Sequence, residues 1–416
     1  MIELLIRKNH AGMKTAPASE NDKPNGSTAV SGTPETPAFC GTADALRALA
    51  FHKTFPEYSE TPLASLPALA AELDVGGIYV KDESSRFGLN AFKVLGGSFA
   101  IGNYIAGLCG RDIADFSCED MTNPETLERL GQVCFVTATD GNHGRGVAWT
   151  AARLGQKCVV YMPKGTAQER LDNILALGAD ASVTDLSYDD CVRKAAADAG
   201  EKGWIRIQDT SSADYTDIPA DIMRGYTTMA LEAVRQLGNI RPTHVFLQAG
   251  VGSMAGAAAA FLADYYKDSK PLITVVEPLS ADCVYRTASA DDGKLHATTE
   301  EMNTEMAGLS CGEVCPLAWD ILKDQAECFA RISDDVTETG MRTLAHPLGK
   351  DPLIVSGESG AAGIGTAIEI LSDPSLTTVR EAMGLNRDSV ILCFSTEGDT
   401  DKENYRRITQ TVVSRT

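Results

Sequence analysis

Lys93 is the first residue in this sequence whose setting points to chemistry. It lies in the stretch NAFKVLGG, residues 90–97, among apolar side chains and just before a pair of glycines. Burying a lysine is costly unless its amine is paired or neutral. Two interpretations are open. The stem packs on apolar surface while the amine reaches water, or the amine is catalytic and forms a Schiff base with a carbonyl cofactor.

A polar turn, TDGNHG at residues 139–144, follows a predicted strand and precedes a predicted helix that begins near Gly144. Backbone amides at a helix start attract anions, and the side chain of Asn142 can donate a hydrogen bond to an oxygen. The alternative is a tight turn at Asp140 and Gly141 that requires positive φ. The residues alone allow a binding site or a simple connection here.

The glycine-rich loop GVGSMAG, residues 250–256, joins another predicted strand to a helix. Glycines let a phosphate approach the backbone, and a helix N-terminus complements its charge. A competing interpretation is a nicotinamide dinucleotide site, with Glu277 closing the next strand about 21 residues after Gly256. The spacing is GxGxxxG rather than GxGxxG, which favours a simple phosphate loop.

Two further strand ends carry polar residues. Ser395 and Thr396 end the last predicted strand, where a hydroxyl could meet a ring nitrogen or merely form a polar exit. Asp209 ends the strand IRIQDT, where a lone carboxylate is most often a helix cap or a solvated group. Taken together, a lysine, an asparagine turn, a phosphate loop and a terminal hydroxyl supply the contacts that pyridoxal 5'-phosphate needs.

Alternating strands and helices must position these residues. Eight β-rich runs are separated by amphipathic stretches, which predicts an α/β fold with a mostly parallel, doubly wound sheet. Ligands in such folds lie beyond the carboxyl ends of the strands. The Pro-, Ser- and Gly-rich start predicts a flexible arm over residues 1–38.

Composition narrows the class of protein. The 416 residues exceed one small core, and a net charge of -20 argues against nucleic acid as a partner. The eleven scattered cysteines include no Cys-x-x-Cys pair, and no signal peptide or membrane span is evident. We therefore expect a cytoplasmic enzyme that acts on a small molecule, and no metal site is indicated.

The motifs resemble those of the fold type II pyridoxal-phosphate enzymes, which include threonine and serine dehydratases, serine racemase and cysteine synthase. The similarity is closer still to the diaminopropionate ammonia-lyases. It is carried by KDESSRFGLNAFKVLGG, TDGNHGRGVAW, YMPKGTAQER, QAGVGSMAG, SGESGAAG and STEGDTD, and runs from about Phe51 to Ile408. The resemblance implies two doubly wound lobes with the cofactor between them and a homodimer. The large lobe would comprise residues 39–95 and 204–416 and the small lobe residues 96–203.

Residue roles follow from the same resemblance. Lys93 would bond the cofactor covalently, Asn142 would contact its phenolic oxygen, and Thr396, in preference to Ser395, would meet its ring nitrogen. The phosphate would lie on the loop formed by Gly250, Val251, Gly252, Ser253 and Met254. Many dehydratases have a run of glycines in this loop, so a side-chain contact from Ser253 is left open.

The implied reaction is α,β-elimination of 2,3-diaminopropionate, D and L, to pyruvate and two ammonia. Lys93 would take the Cα proton from the L isomer, and Asp140, on the opposite face, would take it from the D isomer. Asp209, or alternatively Asp140, would hold the distal ammonium. Serine or threonine dehydration, racemisation on the same fold, and a nicotinamide-dependent oxidoreductase are the alternatives.

Overall fold

The computed structural model describes residues 1–7 and 38–410, which form eleven strands and sixteen α-helices. The strands are β1 Ile2–Ile6, β2 Leu63–Ser65, β3 Gly77–Asp82, β4 Cys134–Ala138, β5 Lys157–Met162, β6 Asp180–Val183, β7 Ile205–Arg206, β8 His244–Gln248, β9 Leu272–Pro278, β10 Cys328–Ile332 and β11 Val390–Ser395.

The helices of the first half are α1 Thr42–His52, α2 Pro67–Glu72, α3 Val94–Leu108, α4 Cys118–Thr122, α5 Pro124–Leu130, α6 Asn142–Arg153, α7 Gln168–Leu175 and α8 Tyr188–Lys202. Those of the second half are α9 Asp217–Leu237, α10 Ser253–Tyr266, α11 Cys283–Ala290, α12 Pro316–Gln325, α13 Asp334–Ala345, α14 Ala362–Ser372, α15 Thr377–Met383 and α16 Lys402–Gln410.

The strands form two sheets. The larger has seven strands in the order β1-β10-β9-β8-β11-β3-β2, and the smaller has four in the order β6-β5-β4-β7. All pairings are parallel except those of the two edge strands β1 and β2 in the larger sheet. The predicted mostly parallel, doubly wound α/β fold is confirmed.

Apolar cores cover both faces of the larger sheet because side chains alternate along each strand. In β8, Val245 and Leu247 belong to one core and Phe246 to the other. The first core packs under α1, α3, α9 and α10 and continues toward the smaller sheet, where Phe135 is fully buried. Every residue of β8 is buried, as expected for a central parallel strand.

The amino-terminal prediction is wrong in part. Residues 2–6 were expected to belong to a flexible arm, but they form β1, which pairs antiparallel with β10 from Ile2 opposite Ile332 to Ile6 opposite Cys328. Five residues, four of them apolar, suffice for an edge strand once β10 offers its unpaired backbone. The rest of the expected arm, residues 8–37, lies outside the described residues.

Eight strands were predicted from sequence, and β1, β2 and β10 were missed. Strand β7 pairs with β4, so the smaller sheet takes a strand from beyond residue 203. We therefore propose a small domain of residues 96–206 rather than 96–203. Among the described residues, no helix has both the length and the hydropathy of a membrane span.

Candidate active site

One cavity lies where the carboxyl ends of strands from the two sheets face each other. All ten predicted site residues line it: Lys93, Asp140, Asn142, Asp209, Gly250, Val251, Gly252, Ser253, Met254 and Thr396. They come from four strand ends and from the start of α3. The fold thus brings together residues that are up to 303 positions apart in sequence (93 to 396).

Lys93 immediately precedes α3, and its amine is paired rather than reaching for water. Its Nζ lies 2.5 Å from Oδ2 of Asp209. The rings of Phe92 and Tyr226 have their centroids 5.7 and 5.8 Å from this nitrogen. Burial acts to lower the pKa of Lys93, but attraction by Asp209 outweighs it and holds the pKa above its ordinary value. The amine is therefore a partly buried ammonium in this state.

The helix α3 is held close to α6 by a glycine. A side chain at Gly146 would place its Cβ 2.7 Å from Cα of Val94. That separation is too short for any Cβ, so only glycine permits this approach. The second glycine of the NHGRG segment thereby fixes where the backbone of Lys93 lies relative to the Asn142 turn.

Asp209 is neither a helix cap nor a solvated group. Its Oδ2 accepts from Lys93, and its Oδ1 accepts from the Tyr188 hydroxyl and from Nε2 of Gln208, each at 3.1 Å. Burial acts to raise the pKa of Asp209, but Lys93 and these donors hold it below its ordinary value. The group is a carboxylate that faces the cavity.

Asp140 lies on the turn between β4 and α6 and points at Arg170. Its Oδ2 lies 3.0 Å from a guanidinium nitrogen of that residue. Gly141 has the positive φ, +148°, that the tight-turn interpretation requires, and no side chain caps the start of α6. Burial raises the pKa of Asp140, and the nearby Arg170 and Lys93 offset only part of that rise.

Asn142 is oriented by a residue whose role the sequence did not reveal. Its Nδ2 donates to Oε2 of Glu397 at 2.5 Å, and Glu397 also accepts from the Ser359 amide and the Thr400 hydroxyl at 3.1 Å each. Glu397 is buried and lines the same cavity. It stands one position after Thr396 in the STEGDTD motif. The motif shows the residue, but not that Asn142 is its hydrogen-bond partner.

The loop after β8 has the geometry of an anion cradle. Gly252 has φ +94°, a conformation that glycine adopts without strain. A side chain at Gly250 would put its Cβ 2.9 Å from Sγ of Cys311. The loop leads into the N-terminus of the fourteen-residue helix α10, which has no side-chain cap. The Ser253 hydroxyl donates to the Asp209 carbonyl at 2.6 Å, so it is already committed to the protein.

Ser395 and Thr396 point in opposite directions, and of the two only Thr396 lines the cavity. Oγ of Ser395 donates to Oγ of Ser356 at 2.8 Å and does not line the cavity. Oγ1 of Thr396 lines the cavity and accepts from Nε2 of Gln248 at 3.0 Å. The hydroxyl hydrogen of Thr396 is then available to an acceptor in the cavity.

Glu277 is a structural residue and does not face a nucleotide site. Its two oxygens accept the backbone amides of Val284 and Tyr285 at 2.8 and 2.6 Å, at the start of α11. Burial raises the pKa of Glu277 to about 8, although the two amide donors act against the rise. Both oxygens of the Glu277 carboxyl are occupied by hydrogen bonds within the protein. Glu277 therefore cannot bind a nucleotide, as the dinucleotide interpretation required.

These residues fit pyridoxal phosphate. The cradle beside α10 suits a phosphate, the Thr396 hydroxyl suits a ring nitrogen, and Lys93 offers an amine for an aldehyde. Glycine at position 250 lets the loop pack closely against Cys311, where a Cβ would lie 2.9 Å from Sγ.

Comparison with known proteins agrees with this fit. The sequence profile of the family described as "Pyridoxal-phosphate dependent enzyme" matches residues 54–377. The chain belongs to this class of enzymes, and its predicted fold type II architecture is confirmed.

Individual relatives narrow the class. The chain is 46% identical to the diaminopropionate ammonia-lyase of Salmonella typhimurium over 86% of its own length and 90% of that protein. It is 47% identical to the enzyme of Escherichia coli K12 over 90% of its length and 93% of that protein. A crystal structure of the Escherichia coli enzyme in complex with D-serine matches with a TM-score of 0.86 at 43% identity, over 98% of this chain and 97% of that one. Within the pyridoxal-phosphate enzymes, the chain belongs to the diaminopropionate ammonia-lyase family.

Proposed function

We propose that this protein catalyses α,β-elimination of 2,3-diaminopropionate, accepts the D and the L isomer, and forms pyruvate and two molecules of ammonia. One observation carries the proposal. An amine, Lys93, and a carboxyl, Asp140, line the same cavity as two separate acid–base groups. Two such groups are what a site needs to take a Cα proton from either isomer. Membership of the diaminopropionate ammonia-lyase family supports the same substrate.

Pyridoxal phosphate would be held by the residues that define the cavity. The loop Gly250–Met254 and the start of α10 would bind its phosphate, Asn142 its phenolic oxygen, Thr396 its ring nitrogen and Lys93 its aldehyde carbon. When bound, the cofactor withdraws electrons from the substrate Cα and so acidifies the proton there. A neutral hydroxyl at the ring nitrogen does not hold that nitrogen protonated as a carboxylate would, which favours prompt loss of the Cβ group.

Lys93 takes the Cα proton of the L isomer onto Nζ. It can do so only in its neutral form, so the charge that it now shares with Asp209 must first be lost. Asp140 takes the Cα proton of the D isomer onto a carboxylate oxygen. Because the Cβ amine departs before a proton returns to Cα, neither isomer is converted into the other.

Asp209 holds the distal ammonium of the substrate. Its carboxylate is buried and its present counter-charge is Lys93 at 2.5 Å. Once Lys93 is neutral and acts as a base, Asp209 keeps its hydrogen bonds from Tyr188 and Gln208 but loses its counter-charge, and an uncompensated buried charge is costly. The cationic amine of diaminopropionate restores the pair and stays protonated until it leaves as ammonia.

The setting of the enzyme is part of the proposal. We infer a cytoplasmic homodimer, as implied by the resemblance to fold type II enzymes. All eleven cysteines have free thiols in the structure, in keeping with a reducing compartment.

Pyruvate release from each isomer of diaminopropionate and of serine tests the function. Native enzyme should form pyruvate fastest from the two diaminopropionate isomers. Asp140→Asn should keep cofactor binding and lose about two or more orders of magnitude on the D isomer, the scale of a missing general base. The L isomer should be affected less because Lys93 serves it. Undiminished D activity in this variant would remove Asp140 from the mechanism.

A further inference from the structure

Arg170 is a buried cation whose contacts go beyond the predicted site residues. It lies on α7, and its side chain is 5% exposed. Its guanidinium lies 3.0 Å from Oδ2 of Asp140 and 3.9 Å from carboxylate oxygens of both Glu358 and Glu397. One arginine thus lies close to three carboxyl groups. Asp140 follows β4 of the smaller sheet, Glu397 follows β11 of the larger sheet, and Glu358 lies between α13 and α14.

The stem of Arg170 packs on the turn that carries Asp140. A Cβ built at Gly141 would lie 3.3 to 3.4 Å from the Cβ, Cγ and Cδ atoms of Arg170. Gly141 has φ +148° and leaves this space open. The arginine is therefore held against the turn by packing as well as by charge, and its fork is aimed at one oxygen of Asp140.

Four charged side chains lie close enough to Asp140 to affect its ionisation. Arg170 and Lys93 favour its ionised form, whereas Glu397 and Asp209 oppose it. Lys93 is already committed to Asp209 at 2.5 Å. Arg170 is consequently the cation that is available to Asp140. The other titratable groups close enough for the Asp140 charge to raise their pKa are His143 of α6, Tyr188 of α8, Tyr226 of α9 and Cys311.

We propose that Arg170 is a positioning residue that keeps the Asp140 carboxyl ionised and aimed into the cavity, and that it thereby serves the D isomer selectively. This inference rests on the proposed function, in which Asp140 is the base for that isomer. Arg170 acts through Asp140 and needs no contact with the substrate. The L isomer depends on Lys93, whose partner is Asp209.

The pH profile of kcat/KM on each isomer tests the inference. In Arg170→Gln the acid limb of the D profile should move to higher pH by roughly one to three units, the usual effect of losing a cation beside a carboxylate. The L profile should move much less. Arg170→Lys restores the charge without the planar fork and should recover part of the shift. Arg129→Gln removes an exposed arginine of α5 and should leave both profiles unchanged.

A second measurement does not depend on turnover. Infrared difference spectra of the holoenzyme can follow the carbonyl band of protonated Asp140, identified by its absence in Asp140→Asn. That band should persist to higher pH in Arg170→Gln than in native enzyme. Should Asp140→Asn abolish D activity while Arg170→Gln leaves the D profile and the band unmoved, this inference is overturned and the proposed function stands. If Asp140→Asn keeps full D activity, Asp140 is not the base for that isomer and this inference falls, whereas the proposed elimination reaction stands. Absence of pyruvate from both diaminopropionate isomers with native enzyme would instead overturn the proposed function.

Discussion

Lys93 and Asp209 form a partly buried ion pair that the cofactor and the substrate must reorganise. The nitrogen and oxygen are 2.5 Å apart, and Asp209 is held in place by Tyr188 and Gln208. The pair keeps the lysine charged until the cofactor arrives. Replacing Lys93 should therefore impair a different step of the reaction from replacing Asp209.

Lys93→Ala should lose the absorbance of covalently bound cofactor and nearly all turnover of the L isomer. The physical reason is that alanine has neither an amine for the aldehyde nor a base for the Cα proton. Borohydride reduction of native protein, followed by peptide mapping, should find the cofactor on the peptide that contains Lys93. A label on any other lysine contradicts the assignment.

Asp209→Asn should raise KM for diaminopropionate more than KM for serine. The lost charge-assisted hydrogen bond to the distal ammonium should weaken binding of diaminopropionate by roughly 1.5–3 kcal/mol and raise its KM by the corresponding factor. Because Asp209 also pairs with Lys93, part of any loss will be common to both substrates. Steady-state kinetics on L-serine give that common part, and equal losses on the two substrates would assign Asp209 a purely structural role.

At the scale of elements, each site residue is placed by the end of a strand and the start of the next helix. The turn after β4 carries Asp140 and Asn142, and the loop after β8 leads into α10. Glu277 shows that a residue in a similar position can be purely structural. It lies near the end of β9, and its carboxyl accepts hydrogen bonds from two backbone amides of α11.

Glu277 should make stability fall as the pH rises. Burial raises the pKa of Glu277 in the folded state to about 8 from its ordinary value of 4.5. A raised pKa means that the folded state holds the proton more tightly, so the contribution is fully present below about 4.5 and is lost as the pH rises through about 8. Thermal unfolding midpoints between pH 5 and 9 should fall more steeply for native protein than for Glu277→Gln.

The slope is the quantity to compare, because glutamine also changes how the first turn of α11 is capped. Glu128→Gln, an exposed position on α5, is the matched control and should follow the native slope. Parallel curves for native protein and Glu277→Gln would show that the group is ionised throughout this range.

At the scale of the whole molecule, a buried charge cluster ties β3 to α9 away from the active site. Lys81 and Arg86 each reach Oε2 of Glu232, at 2.8 and 2.7 Å, and Arg86 also pairs with Glu83 at 2.8 Å. All four side chains are at most 1% exposed. Such a cluster does not add stability by its charges alone, but removing one member leaves the others uncompensated.

Glu232→Gln should lower the free energy of unfolding by about 3–5 kcal/mol, the cost of breaking a buried ion pair. The variant should keep the native KM for substrate because the cluster does not line the cavity. Urea denaturation gives the free energy, and Glu201→Gln, an exposed position on α8, is the control. A loss below about 1 kcal/mol, the worth of a surface pair, would show that the cluster tolerates the missing charge.

The sequence by itself determined eight of the eleven strands in the described residues, since apolar runs set the strands and glycine-rich turns set the helix starts. Its motifs, through their resemblance to a known family, determined the class of enzyme, the cofactor and ten of the residues that line the cavity. The tertiary structure decided how the residues are paired. Lys93 meets Asp209 across 116 positions, and Asn142 meets Glu397 across 255. Arg170 and β1 were missed for the same physical reason: a partner that distant is chosen by packing of the whole chain, which no local pattern records.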